Sequence, residues 1–259
     1  MNLPHVLTRV PACVTEVVLV DGHSIDDTIA VARALRADIC VVVQVAHGKG
    51  DALACGLAAA SGQILVTLDA DGSMDPAEIP RFVSALRDGS DYAKGTRFRE
   101  AGGSTDITRI RRIGNRVVTQ LVNLLFATGY SDLCYGYNAL WRDCLPQLQI
   151  DCAGFEVEAL MNIRAAQARL TVTEVPSFEH KRLFGESSLN AVRDGLRIGR
   201  LIVCERMHRR GRFRARHGAG DAHLRTRPTG PRGGQAAVPG RGLDHAPGAT
   251  AGAAGPAVA

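Results

Sequence analysis

Up to about residue 209, short runs of aliphatic and β-branched residues alternate with longer stretches of helical periodicity. Residues 16–20 (EVVLV), 39–43 (ICVVV), 63–68 (QILVTL) and 170–175 (LTVTEV) have the length and composition of strands in a buried sheet. Residues 91–96 read as a further strand. Helical patterning fills 26–35, 50–60, 76–87, 113–127 and 155–168, and resumes over 189–207. Local punctuation agrees: Ser24 or Asp26 can cap the first helix, Pro76 suits a first turn, and Gly129 suits a stop. Repeated strand–helix units predict an α/β domain, a mostly parallel sheet with helices on both faces. In such sheets ligands lie beyond the carboxyl ends of the strands, and Asp21 and Asp69 both fall there.

Composition narrows the class. With 259 residues and 46% hydrophobic content the chain can bury a large core. No apolar stretch approaches the roughly 18–20 residues that cross a bilayer. The amino terminus lacks the basic flank and apolar run of a secretory signal. The seven cysteines are scattered and contain no CxxC pair, which predicts reduced thiols in a cytoplasmic protein rather than a zinc site or a disulfide frame. The net charge of +5 is local: residues 210–259 hold eight arginines against Asp221 and Asp244. The remainder is close to neutral, so no nucleic-acid partner is expected. That segment is dominated by Gly, Ala, Pro and Arg and cannot bury enough apolar area to offset its ordering entropy. The expected organisation is a domain over 1–209 followed by a disordered tail over 210–259.

Three clusters can carry chemistry. In LVTLDADGS (65–73), Asp69 and Asp71 leave a buried strand one residue apart. Extended backbone puts i and i+2 side chains on one side, where two carboxylates can meet one hard divalent cation, Mg2+ or Mn2+, and leave positions for phosphate oxygens. Turn formation or helix capping ahead of Pro76 is the alternative use of the same residues. In VDGHSIDDT (20–28), Asp21 ends a strand and can accept hydrogen bonds from a base or ribose, or it can simply form the turn into a helix. His23 in the same turn reads as solvent-facing. In HGKGDAL (47–53), Lys49 stands between glycines at a helix start, where an anion can bind. Neither a Walker loop nor a GxGxxG is present, which disfavours a phosphate-loop NTPase and a dinucleotide oxidoreductase.

Taken in order, these clusters resemble glycosyltransferase family 2, the GT-A nucleotide-sugar transferases. Further matching stretches are KGTRF (94–98), RIGNR (112–116), DLCYGYNA (132–139), GFEVE (154–158), EVP (174–176) and RLFGESSL (182–189). The resemblance covers about residues 2–206 and is closest to the dolichyl-phosphate mannose synthase-like branch. It implies a GT-A fold and a metal-dependent, inverting transfer from a UDP- or GDP-linked nucleotide-sugar donor to an acceptor such as a polyprenyl phosphate. By the same resemblance Asp21 contacts the nucleoside, Asp69 and Asp71 hold Mg2+ or Mn2+, and Lys49 lies near the donor. Arg97, Arg112 and Arg182 meet donor or acceptor phosphate, and Glu158 lies near the sugar. Glu156 and Glu158 point to different sides of their helix, so at most one of them belongs to the site.

The sequence departs from the family at two places. Its first strand and P-x-x-N-E segment would precede Met1, so a central strand is expected to be missing. Ser188 stands where related sequences often carry Lys. A non-catalytic nucleotide-sugar-binding relic is therefore the rival reading. A sugar-nucleotide pyrophosphorylase would need a Gly-rich, Lys-bearing loop after the first strand. Finally, Arg193, Arg197, Arg200 and Arg206 interleave with Leu196, Ile198, Leu201, Ile202 and Val203. Such a helix suits either peripheral contact with the cytoplasmic face of an anionic membrane or a core position with a solvated basic face.

Overall fold

A computed structural model describes residues 2–182, 184, 191–218 and 256–258, of which 191, 209–218 and 256–258 are described through their backbone alone. A short helix, α1 (Leu3–Leu7), precedes the first strand, β1 (Glu16–Asp21). Then follow α2 (Thr28–Leu35), β2 (Cys40–Val43), α3 (Lys49–Ala59), β3 (Ile64–Thr67), a 3-10 turn at Pro76–Glu78 and α4 (Ile79–Arg87). The second half contains β4 (Tyr92–Thr96), β5 (Gly103–Ser104), α5 (Arg109–Phe126), β6 (Asn138–Trp141), α6 (Leu145–Leu148) and α7 (Val157–Gln167). It closes with β7 (Val172–Pro176), β8 (Phe178–Glu179), α8 (Ala191–Gly218) and β9 (Pro256–Val258).

The main sheet has the order β2-β1-β9-β3-β6-β4-β7. All its pairings are parallel except those of β6, which runs antiparallel to both β3 and β4. β6 was not anticipated, because NALW lacks the β-branched run that marks the other strands. β5 and β8 pair separately, in parallel. Two further findings bear on the expected organisation. α8 continues to Gly218, past the expected boundary at 209. The position expected to lack a strand, between β1 and β3, holds β9, whose backbone pairs with Glu16–Val18 on one side and Val66–Thr67 on the other. The rest of the expected tail, 219–255 and 259, lies outside the described residues, as does Ser188.

α5 starts four residues before the expected position. Thr108 caps it, its hydroxyl oxygen accepting from the Arg111 N–H at 3.3 Å. It ends at Ala127 in the left-handed conformation (φ 56°) rather than at Gly129. Asn123 fixes that exit by accepting from the Thr128 hydroxyl and the Tyr130 N–H and donating to the Tyr130 carbonyl.

α7 is buried along nearly its whole length. Val157, Met161 and Ala165, spaced four apart, pack with sheet residues Leu65, Tyr92 and Leu140. Ala159 and Ile163 face the opposite way, onto Val122 and Phe126 of α5 and Ile198 and Ile202 of α8. A third face carries Glu158 and Asn162. The Asn162 side chain donates to the Leu133 carbonyl at 3.0 Å. α7 thus joins the sheet to the α5–α8 pair and aims one carboxylate between them.

Candidate active site

Asp69 follows the end of β3, and Asp71 shapes the turn that comes after it. One Asp71 oxygen accepts from the Ser73 N–H at 2.9 Å, and Gly72 takes a positive φ of 78° that favours glycine. The turn-forming and ligand-binding readings of Asp71 are therefore compatible, since only Oδ1 is used by the turn. Oδ2 lies 3.2 Å from the Arg182 guanidinium.

Lys49 opens α3 and reaches across to Asp69 Oδ1 at 2.7 Å and Glu158 Oε1 at 2.7 Å. Burial opposes its charge, but the two carboxylates outweigh that and hold the ammonium above its ordinary pKa. The glycines around Lys49 do not form a phosphate cradle. A Cβ on Gly48 would lie 2.3 Å from the Ala153 carbonyl oxygen, and one on Gly50 would lie 2.1 Å from that of Cys152. The Gly50 N–H is already bonded to Ala153. These glycines let α3 press against the 152–153 backbone, which seats the lysine. Gly136 has a related role, because a Cβ there would lie 2.8 Å from Lys49 Nζ and 3.2 Å from Glu158 Oε1.

Asp69, Asp71, Lys49, Glu158 and Arg182 all line one cavity of about 370 Å³. Its polar end is this cluster. Its other end is apolar and runs between α5 and α8 past Ile107, Val117, Val118 and Ile198. Cys134 lines the wall. Burial, reinforced by Asp132 and Glu158, pushes its thiol up to about 12, so it stays protonated at neutral pH.

The arginines divide differently from the expectation. Arg97 borders the cavity with its guanidinium bonded at every nitrogen. Its Nε and Nη2 bond both oxygens of Asp132 at 2.7 and 3.0 Å, Nη1 bonds both oxygens of Glu179 at 3.1 Å, and Nη2 also reaches the Cys134 carbonyl. These contacts make Arg97 a buried strut between Asp132 and Glu179. Arg112 is exposed and lies over the Phe98 ring, away from the cavity. Its neighbour Arg111 lines the cavity instead, 3.4 Å from Asp106. Asn115, one turn further along α5, also lines it and holds Asp132 and the Cys134 N–H. The helical phase set by Asn115 was the available signal for Arg111, which the sequence reading missed.

Of the two glutamates, Glu158 faces the cavity and Glu156 precedes α7 without lining it. Asp21 stands apart from the cavity, at the carboxyl end of β1. Its Oδ2 accepts from the Ser24 N–H at 3.0 Å, while its buried Oδ1 has no hydrogen-bond partner. A buried carboxylate oxygen with no donor fits the donors of a nucleoside. His23 is exposed, in the left-handed region at φ 64°. The oxygen donors of Asp69 and Asp71 fit a hard cation by type, with Lys49 bonded to both oxygens of Asp69 and with the Ser73 N–H and Arg182 on Asp71.

Solved structures with the same architecture include glucosyl-3-phosphoglycerate synthase of Mycobacterium tuberculosis, with a TM-score of 0.59 and 22% identity over 81% of this chain and 76% of that one. A second crystal structure of that synthase, in complex with Mn2+, uridine-diphosphate-glucose and glycerol 3-phosphate, matches at TM-score 0.60 and 23% identity over 81% and 76%. The fold is therefore GT-A, as the resemblance implied. Among curated relatives, a dolichyl-phosphate hexose transferase of Haloferax volcanii is 31% identical over 73% of this chain and 79% of its own length. Glycosyltransferase AglJ of the same organism is 28% identical over 69% of this chain, which spans 59% of that relative's length. The family model for glycosyl transferase family 2 matches residues 3–149, and the chain belongs to that family.

Proposed function

We propose that the chain transfers a sugar from a nucleotide-diphosphate sugar to a polyprenyl phosphate at the cytoplasmic face of a membrane, with inversion at the anomeric carbon. The observation that carries this reading is the two-ended cavity, with its carboxylate cluster at one end and an apolar passage between α5 and α8 at the other. A lipid phosphate is the acceptor class whose head and tail match both ends. The similarity to a dolichyl-phosphate hexose transferase supports the same choice.

In this reading Asp69 and Asp71 would hold Mg2+ or Mn2+, which when bound would supply positive charge to the departing diphosphate. Asp21 accepts hydrogen bonds from the nucleoside. Lys49 fixes the Asp69 and Glu158 carboxylates relative to one another. Glu158, buried and bonded to Lys49, orients the sugar. An acceptor phosphate is already ionised at neutral pH, so its oxygen attacks without a strong base and the residues act by positioning and electrostatics. A hydroxyl acceptor would instead need Glu158 to take a proton. Arg111 and Arg182 line the passage to the acceptor and supply the charge that meets its phosphate.

Exposed apolar residues of α5 and α8, among them the cavity-lining Ile110, Val117 and Val192, support peripheral contact with lipid. Ile110, Ile113, Val117 and Leu124 of α5 are 58–81% exposed, and Val192 and Leu196 of α8 are each 72% exposed. Arginines at 109, 112, 116, 193, 197 and 200 border them. Among the described residues no helix is long and apolar enough to cross a membrane. The test is transfer of radiolabelled sugar from UDP- and GDP-linked donors to polyprenyl phosphate in anionic vesicles. Product with the wild-type chain and none with Asp71→Ala is expected. Equal product from both chains would overturn the assignment.

A further inference from the structure

Asp21 ends β1, whereas Asp69 and Asp71 follow β3, so the carboxylates read as donor ligands stand on two different strands. Those strands do not pair with each other. β9 lies between them, parallel to both. Ala257 is in register with Val17 on one side and Val66 on the other, and Val258 with Val18 and Thr67. This pairing lies three residues before Asp21 on β1 and two before Asp69 on β3. Neighbouring strands are about 4.8 Å apart, so an intervening strand sets β1 and β3 about 10 Å apart. Direct pairing of β1 with β3 would halve that separation. The two-strand spacing is consistent with Asp21 standing outside the cavity that Asp69 and Asp71 line.

We infer that residues 256–258 are the spacer of the donor site: β9 fixes the separation between the nucleoside end, at Asp21, and the cation end, at Asp69 and Asp71, so that one nucleotide diphosphate spans both. The inference deepens the reading of these carboxylates as donor ligands and rests on it. A nucleoside diphosphate carries its base at one end and its second phosphate at the other, with ribose and a phosphate between. It gains from both contacts at once only where they stand at its own length. Each of the two strands also has a second neighbour. β2 holds β1 along Val18–Asp21, and β6 holds β3 along Ile64–Thr67. Loss of β9 therefore leaves every carboxylate on a paired strand and releases only the distance between them. The contribution of β9 is made by its backbone, which is paired on both sides, and a strand in that position does not accept proline.

The first measurement needs no variant. In the full wild-type chain, hydrogen exchange read by NMR should show the Ala257 and Val258 amides exchanging as slowly as those of β1 and β3. Rapid exchange at both overturns the inference. The second measurement separates spacing from general support of the fold. Mn2+ alone is titrated into the full chain, with free Mn2+ followed by electron paramagnetic resonance. UDP and GDP are then titrated into the Mn2+-saturated chain by calorimetry. Ala257→Pro removes a strand N–H; it should bind Mn2+ as wild type does and bind the preferred nucleotide at least about tenfold more weakly. Ala257→Ser keeps that N–H and should match wild type on both axes. Wild-type nucleotide affinity in Ala257→Pro overturns the inference while leaving the donor site in place. Loss of Mn2+ binding along with nucleotide binding in Ala257→Pro also overturns it, because β9 then supports the whole fold and not the spacing. If the wild-type chain with Mn2+ binds neither UDP nor GDP, the donor-site reading itself is wrong and the inference falls with it.

Discussion

Two charged clusters lie side by side along the cavity, and they are built from the same residue types. In the first, Arg97 is enclosed by Asp132 and Glu179, with Lys94 and Glu174 adjoining, and all five side chains are at most 9% exposed. In the second, Lys49 and Arg182 face Asp69, Asp71 and Glu158, and four of the five are 21–34% exposed. The first cluster engages every nitrogen of its arginine internally. The second leaves both of its cations and both aspartates partly in contact with solvent. Sealing turns ion pairs into a frame; partial exposure leaves them within reach of a ligand. The comparison separates stability from chemistry within about one turn of helix, since Asn115 of the frame and Arg111 of the cavity wall are neighbours on α5.

The comparison breaks most visibly if the frame is opened. Arg97→Ala leaves the Asp132 and Glu179 carboxylates buried without their partner, which should cost about 3–5 kcal/mol in urea unfolding. A loss below about 1 kcal/mol would mean that the cluster is wetter than its geometry indicates. Next in size is Asp71→Ala, expected to lower transfer at least about 100-fold with an unchanged melting temperature. A comparable fall in melting temperature would show that the open cluster is also structural. A third test uses acid. Burial works against the ionised forms of Asp132 and Glu174, but Arg97 and Lys94 respectively, with further hydrogen bonds, outweigh it and hold both below the usual carboxylate range. Their contribution is therefore complete above the unfolded value of about 4 and is lost as pH falls through the depressed folded values. Melting temperature should fall steeply below about pH 4, and more shallowly in Asp132→Asn once its lower starting stability is subtracted. The smallest effect concerns thiols: the exposed Cys13 and Cys40 should alkylate at pH 8 well before Cys134, whose protonated state burial enforces. Mass spectrometry of partially labelled chain would reveal the order.

Strands that are long, apolar and β-branched were legible in the sequence, and so were most helices. β6 was not, because it is short, contains Asn138 and Trp141, and is set by pairing with β3 and β4 rather than by local propensity. The two-residue strands β5 and β8 leave no periodic signal at all, although they bring Glu179 to Arg97. The start of α5 was placed late because RIRR hides its apolar phase, while the Thr108 cap was visible and passed over. At the site, Asp69, Asp71, Lys49, Glu158 and Arg182 were named from motifs, and the structure brings them together. Motifs could not say which arginine faces inward. Arg97 was named from the KGTRF stretch of the family resemblance, and only the structure shows its guanidinium enclosed by Asp132 and Glu179. Arg111 was missed by one residue, which on a helix is a rotation of about 100°.

That rotation also bears on how this chain can vary over time. α7 carries three jobs on three faces: the sheet packs on Val157, Met161 and Ala165, the α5–α8 pair packs on Ala159 and Ile163, and Glu158 meets Lys49. Inserting or deleting one residue within it would turn every later face by about 100° and fail all three together. Drift at this helix is therefore confined to exchange of one side chain for another, with its length as fixed as the chemistry it presents.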